Sequence, residues 1–308
     1  MLHEHGEHGK IGVVTVTYNG AAVIREFLDS LDTQTHSNFV LYVVDNASND
    51  GVLDVVNNVS RFPVRVTANP DNRGVAEGNN QGIRAALADG CECVLLLNND
   101  TAFPPDLIEQ LYLGLDGQDC DMTTAKMYYS DRPTVFWCAG GRFQAWRGYD
   151  VCHDGAEQED SGQYDEPRQV TYSPTCCLMV RRRVFYIVGV MDRSYFAYYD
   201  DADFLYRCLK RRVSLWYIPK ARLWHKVSSS TGSVSDFTLR HCARNHIYFL
   251  RKNLPYWFAF IWYLQSNVRS TLAFALRQNS RSKWRLRLAA AREGWKCPIE
   301  VGHEGGVP

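Results

Sequence analysis

An α/β fold with a mostly parallel sheet flanked by helices is what this chain of 308 residues predicts. Three observations carry the prediction. Apolar runs at 13–17, 40–44 and 94–97 are too short to span a membrane and have the length of strands buried on both faces. Each run ends in polar, hydrogen-bonding residues: Tyr18-Asn19-Gly20, Asp45-Asn46-Ala47-Ser48 and Asn98-Asn99-Asp100. Between the runs lie stretches with helical spacing, so strand and helix alternate as they do in a parallel sheet.

Taken in order, residues 1–10, with His3, His5 and His8 among Glu and Gly, read as a disordered leader; stray metal binding is the alternative. The first strand is followed by Val23, Phe27, Leu28 and Leu31 on one helical face, and the second hands Asp45 to the sheet end. Ile83, Ala86 and Leu87 mark a further helix. Asp100, beyond the third strand, faces the usual ligand crevice of an open sheet. Asn98-Asn99-Asp100 reads equally as a turn and N-cap ahead of Pro104-Pro105. Gly74, Gly78 and Gly82 are spaced Gly-x-x-x-Gly-x-x-x-Gly, which is neither the dinucleotide fingerprint nor the phosphate loop, so a dehydrogenase or an NTPase is disfavoured.

The chain divides near Ala139 into a first half (11–138) and a second (139–236). Residues 150–166 hold seven carboxylates and no Lys or Arg, and read as a solvated loop. Residues 177–180 read as a strand and 184–188 as a short helix ending at Gly189. Phe204, Leu205, Tyr206 and Leu209 continue a helix from Asp200-Asp201-Ala202-Asp203, a second carboxylate cluster. Asp203 on that helix points away from Asp201; a direct role and a helix-start carboxylate at the positive end of the dipole are both open.

Composition is that of a globular protein, with 45% hydrophobic and 22% charged residues. The ten cysteines lack zinc-site spacing and no secretory signal precedes them, so a reducing cytoplasm is the expected compartment. Net charge is zero but unevenly spread: 237–292 contain eleven Lys and Arg and no Asp or Glu, leaving minus eleven for the rest. Within the tail (237–308), an aromatic run at 254–264 is too short to span a bilayer, and its basic flanks suit an anionic membrane surface. The alternative is a helical hairpin packed on the main domain with a solvated basic face. No nucleic-acid recognition motif accompanies the charge.

Six motifs occur in one order between about Ile11 and Gly232: Thr17-Tyr18-Asn19, Asp45-Asn46-Ala47-Ser48, the segment 72–82, Asn98-Asn99-Asp100, Tyr199-Asp200-Asp201-Ala202-Asp203 and Trp224-His225-Lys226. Together they resemble the family 2 glycosyltransferases of the GT-A fold, particularly the bacterial branch with rhamnosyl- and galactofuranosyltransferases. The resemblance implies inverting, metal-dependent transfer of a sugar from a nucleoside diphosphate to a glycan or lipid-linked acceptor. Asp100 and His225 match the family's metal ligands for Mg²⁺ or Mn²⁺, while Asn98 stands where the stricter motif has its first Asp. Without the resemblance, His225 reads as a core histidine beside Trp224. Asp201 matches the catalytic base and Asp200 its acidic neighbour.

On the donor side the resemblance places Asp45 on the N3-H of uracil or thymine, and Thr17, Tyr18 and Asn19 around base and ribose. Arg73, Gly74, Asn80 and Asn99 complete the expected nucleotide set. The loop 226–232 either closes over the diphosphate or is a plain linker. A dTDP-rhamnose donor is expected from the segment 224–232, with UDP-sugars fitting the same pocket. The chemistry suits these residue types: a divalent cation neutralises the departing diphosphate without proton transfer, and a carboxylate takes the acceptor's proton. A catalytically silent carbohydrate-binding or scaffold protein is the second reading, against which Asp100, Asp201 and His225 together argue.

Overall fold

The computed structural model describes residues 9–226 and 235–299. Strands and helices alternate through the first half: β1 (Ile11–Thr17), α1 (Ala21–Asp32), β2 (Phe39–Asp45), α2 (Val52–Asn57), β3 (Val64–Ala68), α3 (Gly74–Ala88) and β4 (Cys93–Leu97). Then come the two-residue β5 (Thr101–Ala102), α4 (Leu107–Gly117), β6 (Met122–Tyr129), β7 (Phe136–Cys138), β8 (Gly141–Gln144), β9 (Asp150–His153) and β10 (Arg168–Gln169). The order ends β11 (Cys177–Arg181), α5 (Arg182–Val188), α6 (Asp200–Lys210), β12 (Leu215–His225), α7 (Asp236–Asn253), α8 (Tyr256–Ala275) and α9 (Arg281–Lys296).

One sheet runs β10-β12-β6-β11-β4-β1-β2-β3. Neighbours β3, β2, β1 and β4 are parallel, as are β6 and β12; β11 runs antiparallel between β4 and β6. Strands from both sides of residue 139 thus alternate in a single sheet. The apolar runs of β1, β2 and β4 are fully covered because helices lie on both faces, in two cores that include Phe27, Leu41 and Leu95 on one side and Tyr42, Ile83 and Leu96 on the other. The inner face of α1 begins at Ile24; Val23 is only half-buried.

Glycine lets α3 lie close on β1. A Cβ on Gly78 would stand 2.7 Å from Val16, and one on Gly74, whose φ is +79°, would strike the Phe196 carbonyl. The stripe in 72–82 therefore has a packing role that the sequence spacing does not reveal.

Residues 150–166 are not a purely solvated loop. Asp154 is buried between Arg142 and Arg168, Glu157 pairs with Arg132, and Asp160 and Asp165 both take the ammonium of Lys126, which is itself buried in β6. The cations that pair with the segment come from β6, β8, β10 and the turn after β6, and a buried ammonium requires such pairing.

The tail folds onto this body. Tyr195 and Tyr206 share a third core with Ile247, Tyr248, Phe249 and Leu250 of α7 and Ala291 of α9. Lys252 bridges Asp192 at 2.7 Å and Asp203 at 2.8 Å. Ser235 caps α7 by accepting from the Thr238 amide. Among the described residues no helix is long and apolar enough to cross a membrane.

Candidate active site

Strand pairing brings Asp100 to His225. The short β5 sits antiparallel on the end of β12, with His225 opposite Thr101, and the Lys226 amide donates to the Asp100 carbonyl. His225 Nε2 lies 3.0 Å from Asp100 Oδ1. The two are not aligned as a hydrogen bond, and both Asp100 Oδ1 and His225 Nδ1 are buried without a hydrogen-bond partner among the described residues. Two ligands at right angles, each about 2.1 Å from a hard cation, stand about 3 Å apart, so the pair fits as two ligands of Mg²⁺ or Mn²⁺. No group of three or more His, Cys, Asp or Glu that could hold a metal occurs among the described residues. Such an ion would therefore take its other ligands from phosphate and water, as Mg²⁺ commonly does. Asn98 is exposed at the strand end, its amide held by the Cys176 carbonyl.

The second carboxylate cluster opens α6. Tyr198 and Tyr199 both take left-handed backbone, with φ of 66° and 67°, which non-glycine residues adopt at a cost. Asn245 of α7, fully buried, donates to the carbonyls of Ala197 and Tyr198 and holds that turn. Asp201 then accepts from the Tyr172 hydroxyl at 2.6 Å and from the Ala202 amide at 2.7 Å. Burial, and next the charge of Asp201, push the Asp200 carboxyl well above the usual range. Burial also raises Asp201, with the Tyr172 hydrogen bond opposing it. Asp203 faces away, toward Tyr195, Arg207, Lys252 and Asn253. Fully buried and ion-paired to Lys252 of α7, it has the surroundings of a structural carboxylate.

An unbroken run of ring contacts joins the two clusters. The Trp137 ring meets the edge of His225 at 4.5 Å and of His153 at 5.1 Å, and His153 stacks on Tyr172 at 5.8 Å between centroids. Tyr172 holds Asp201. Burial lowers the His153 pKa, against the charge of Asp201. Sequence reasoning missed Trp137, His153 and Tyr172, since isolated aromatic residues carry no spacing signal.

The donor-side residues form a second group at the ends of β1, β2 and β4. Asn99 donates to the Thr17 hydroxyl at 2.9 Å. Asn19, at φ 54°, accepts from the Asn49 amide through its side-chain oxygen and donates its own amide to the Ser48 hydroxyl, and Asp50 accepts from the Ala21 amide, so the loops after β1 and β2 interlock. Asp45 is buried and accepts from the Ser48 amide, while Tyr18 is 55% exposed. Arg73 is exposed and pairs with Asp71, within reach of solvent. Gly74 lies at the start of α3 against Phe196. Asn80 stands apart: it is buried, and its amide is bonded at both ends to the Met191 backbone. Of the loop 226–232, only Lys226 falls within the described residues, and it pairs with Glu26.

Residues 12–188 match the sequence profile of glycosyl transferase family 2. The chain belongs to this family. Relatives agree along nearly the whole length of the glycosyltransferase. The dTDP-rhamnosyl transferase RfbF of Shigella flexneri is 24% identical over 93% of this chain and 96% of its own. The N-acetylglucosaminyl-diphospho-decaprenol L-rhamnosyltransferase of Mycobacterium tuberculosis is 27% identical over 89% and 96%. Among solved structures, a mannosyltransferase from Pyrobaculum calidifontis in complex with GDP-Man and Mn²⁺ superposes with a TM-score of 0.58 at 15% identity, covering 93% of this chain and 74% of that one. S. aureus TarS 1-349 in complex with UDP-GlcNAc gives 0.58 at 17%, covering 92% and 81%. The fold is the GT-A fold of these enzymes.

Proposed function

We propose that this glycosyltransferase moves a sugar, with inversion, from a nucleoside diphosphate donor to a glycan or lipid-linked acceptor. The observation that carries this reading is the contact path from the Asp100–His225 pair through Trp137, His153 and Tyr172 to Asp201, which supports one site for diphosphate and acceptor. One long relative is named a dTDP-rhamnosyl transferase and another an L-rhamnosyltransferase, which supports dTDP-rhamnose as donor; UDP-sugars are the competing donors. A cytoplasmic setting is part of the proposal.

Asp100 and His225 would hold the divalent ion, which supplies charge neutralisation to the departing diphosphate. Burial raises both carboxyls of the pair, and Asp201, which accepts from the Tyr172 hydroxyl and the Ala202 amide, is the member with donors that favour its charged form. Asp201 accepts the proton of the acceptor hydroxyl as that oxygen bonds to the anomeric carbon and the bond to the diphosphate breaks on the opposite face. Asp45, Thr17, Asn19, Tyr18 and Asn99 would frame the base and ribose, and Arg73 would pair with the phosphates; the Gly74 and Val75 amides at the start of α3 are taken by Asn72 and the Phe196 carbonyl, so Gly74 serves close backbone approach.

A chelator experiment tests the metal assignment. With Mg²⁺ or Mn²⁺ present, dTDP or UDP at about a hundred times its dissociation constant should stabilise the protein by about 2.7 kcal/mol, and with chelator by much less. Equal thermal shifts in the two buffers would remove the ion from the mechanism.

Tyr172 offers a second test. A hydrogen bond to a carboxylate is worth about 1.5–3 kcal/mol and one pKa unit about 1.36, so Tyr172→Phe should move the acid limb of the kcat profile up by about one pH unit. The direction follows because the lost donor favoured the charged form of Asp201. A limb that stays in place while kcat falls at every pH would assign Tyr172 to packing alone.

A further inference from the structure

Helix α8 turns its apolar side outward. Trp257, Phe260, Ile261, Leu264, Val268 and Leu272 are between 42% and 62% exposed, and their spacing puts them on one face. The opposite face is the packed one: Ala259 and Ser270 are buried, and Trp262 and Tyr263 lie against the third core. An apolar stripe of this length is uncommon on a monomer's free surface.

The charge of the tail divides into two sets with different surroundings. Arg240 and Arg244 pair with Glu293, Lys252 pairs with Asp192 and Asp203, and Arg251 donates to the carbonyls of Gly294 and Cys297. Lys252, and Arg244 through the Ser194 carbonyl, fasten α7 to the body, while Arg240, Arg244 and Arg251 tie α7 to α9 and its C-terminal end. The remaining seven cations, from Arg269 to Arg292, make no ion pair among the described residues, and no Asp or Glu occurs between 237 and 292 to neutralise them. They sit on α8, on α9 and on the turn between, the same hairpin that bears the apolar stripe. An open groove of about 530 Å³ between the two helices, lined by Val268, Leu272 and Leu288 with Arg292 at its side, continues the apolar surface.

We propose that the α8–α9 hairpin is an interfacial membrane anchor: α8 lies in the plane of an anionic bilayer with its exposed apolar face at the acyl boundary, and the seven distal cations meet the headgroup phosphates. Charge decides for this occupant. A second copy seated on the same face would bring like-charged sets together, at a cost, whereas an anionic surface neutralises them. With Gln265, Asn267 and Arg269 in its middle, α8 lies on a membrane and does not cross it. The inference rests on the hairpin alone, independent of donor, metal and base.

Co-sedimentation of the full chain with phosphatidylcholine vesicles containing graded phosphatidylserine tests it. Binding should rise steeply with anionic content, fall in high salt, and be much weaker on pure phosphatidylcholine. Replacing three cations, Arg281→Gln, Lys283→Gln and Arg285→Gln, should weaken binding about a hundredfold on the same vesicles. Ile261→Ser, Leu264→Ser and Val268→Ser together should abolish the salt-resistant part. All six positions are outside the donor site, so thermal stabilisation by dTDP or UDP should be unchanged and reports that the variants are folded. A full chain that stays in the supernatant at every composition overturns the proposal. So does a triple serine variant that binds like the parent. Dimerisation in light scattering that these serines abolish, without vesicle binding, would give the face to a second copy and equally overturn it.

Discussion

Asp201→Asn should lower turnover about 10²–10⁴-fold while leaving nucleotide affinity nearly unchanged. The substitution keeps the shape: its one amide oxygen can still accept from the Ala202 amide, and its NH2 group can donate to the Tyr172 hydroxyl, so the turn before α6 and the ring path to His225 stay in place. What disappears is the proton acceptor. Burial has already made that acceptor more basic than an ordinary carboxylate. Initial rates with saturating donor, beside a nucleotide titration, separate the two quantities. Near-parental turnover would move the base to Asp200. A fall in nucleotide affinity equal to the fall in turnover would make the effect one of folding.

Asp203→Ala should have a different signature, a loss of about 3–5 kcal/mol of stability, the usual cost of leaving buried charges without their partner. Asp203 has no exposed surface and binds Arg207 at 2.9 Å, Lys252 at 2.8 Å and the Asn253 amide at 2.8 Å. Burial by itself would raise its pKa, but Arg207 and Lys252 outweigh burial and hold the carboxyl below the usual range. Its folded pKa is therefore the lower one. The stability it contributes is fully present above the unfolded value of about 3.9 and is lost as pH falls through the folded value. Asp200 has the opposite sign: its raised pKa costs stability as pH climbs from about 4 toward the folded value. Urea unfolding at neutral and acidic pH measures both effects. A midpoint for Asp203→Ala within error of the parent at neutral pH would show that the third core holds α7 without the ion pairs.

Legibility followed burial. The strands β1, β2 and β4 are continuous in apolar residues because both faces are covered, and each could be read from sequence with its polar end. Edge strand β3 alternates Val64 and Val66 with Arg65 and Thr67, and nearly all of it is exposed, so its signal is weak. Strand β6 is central yet escaped notice, because Thr123, Thr124 and Lys126 are buried in it. Their partners are distant in the chain: the Leu111 carbonyl, Ser173 with the Cys177 carbonyl, and Asp160 with Asp165. Strand β12 carries Pro219 and Lys220 across an irregularity in its pairing with β6, which masks its period.

By itself, then, the sequence determined the parallel sheet and the polar strand ends that carry Asp45 and Asp100, since hydrogen-bonding residues just beyond a covered strand have few other places to go, while the resemblance of six ordered motifs pointed to the family and to Asp201 and His225. Which of them meet was decided only by tertiary structure. The β5–β12 pairing sets His225 beside Asp100, 125 positions away in sequence. Asp201 and Asp203 share one acidic cluster, but the turn of α6 sends the first to Tyr172 and the second to Lys252. The eleven cations of 237–292 look alike in sequence; four found ion-pair or carbonyl partners on the body or on α9, and seven make no ion pair among the described residues. The physical reason is common to all three. Pairing and burial depend on contacts between residues far apart in the chain, and no local pattern records them.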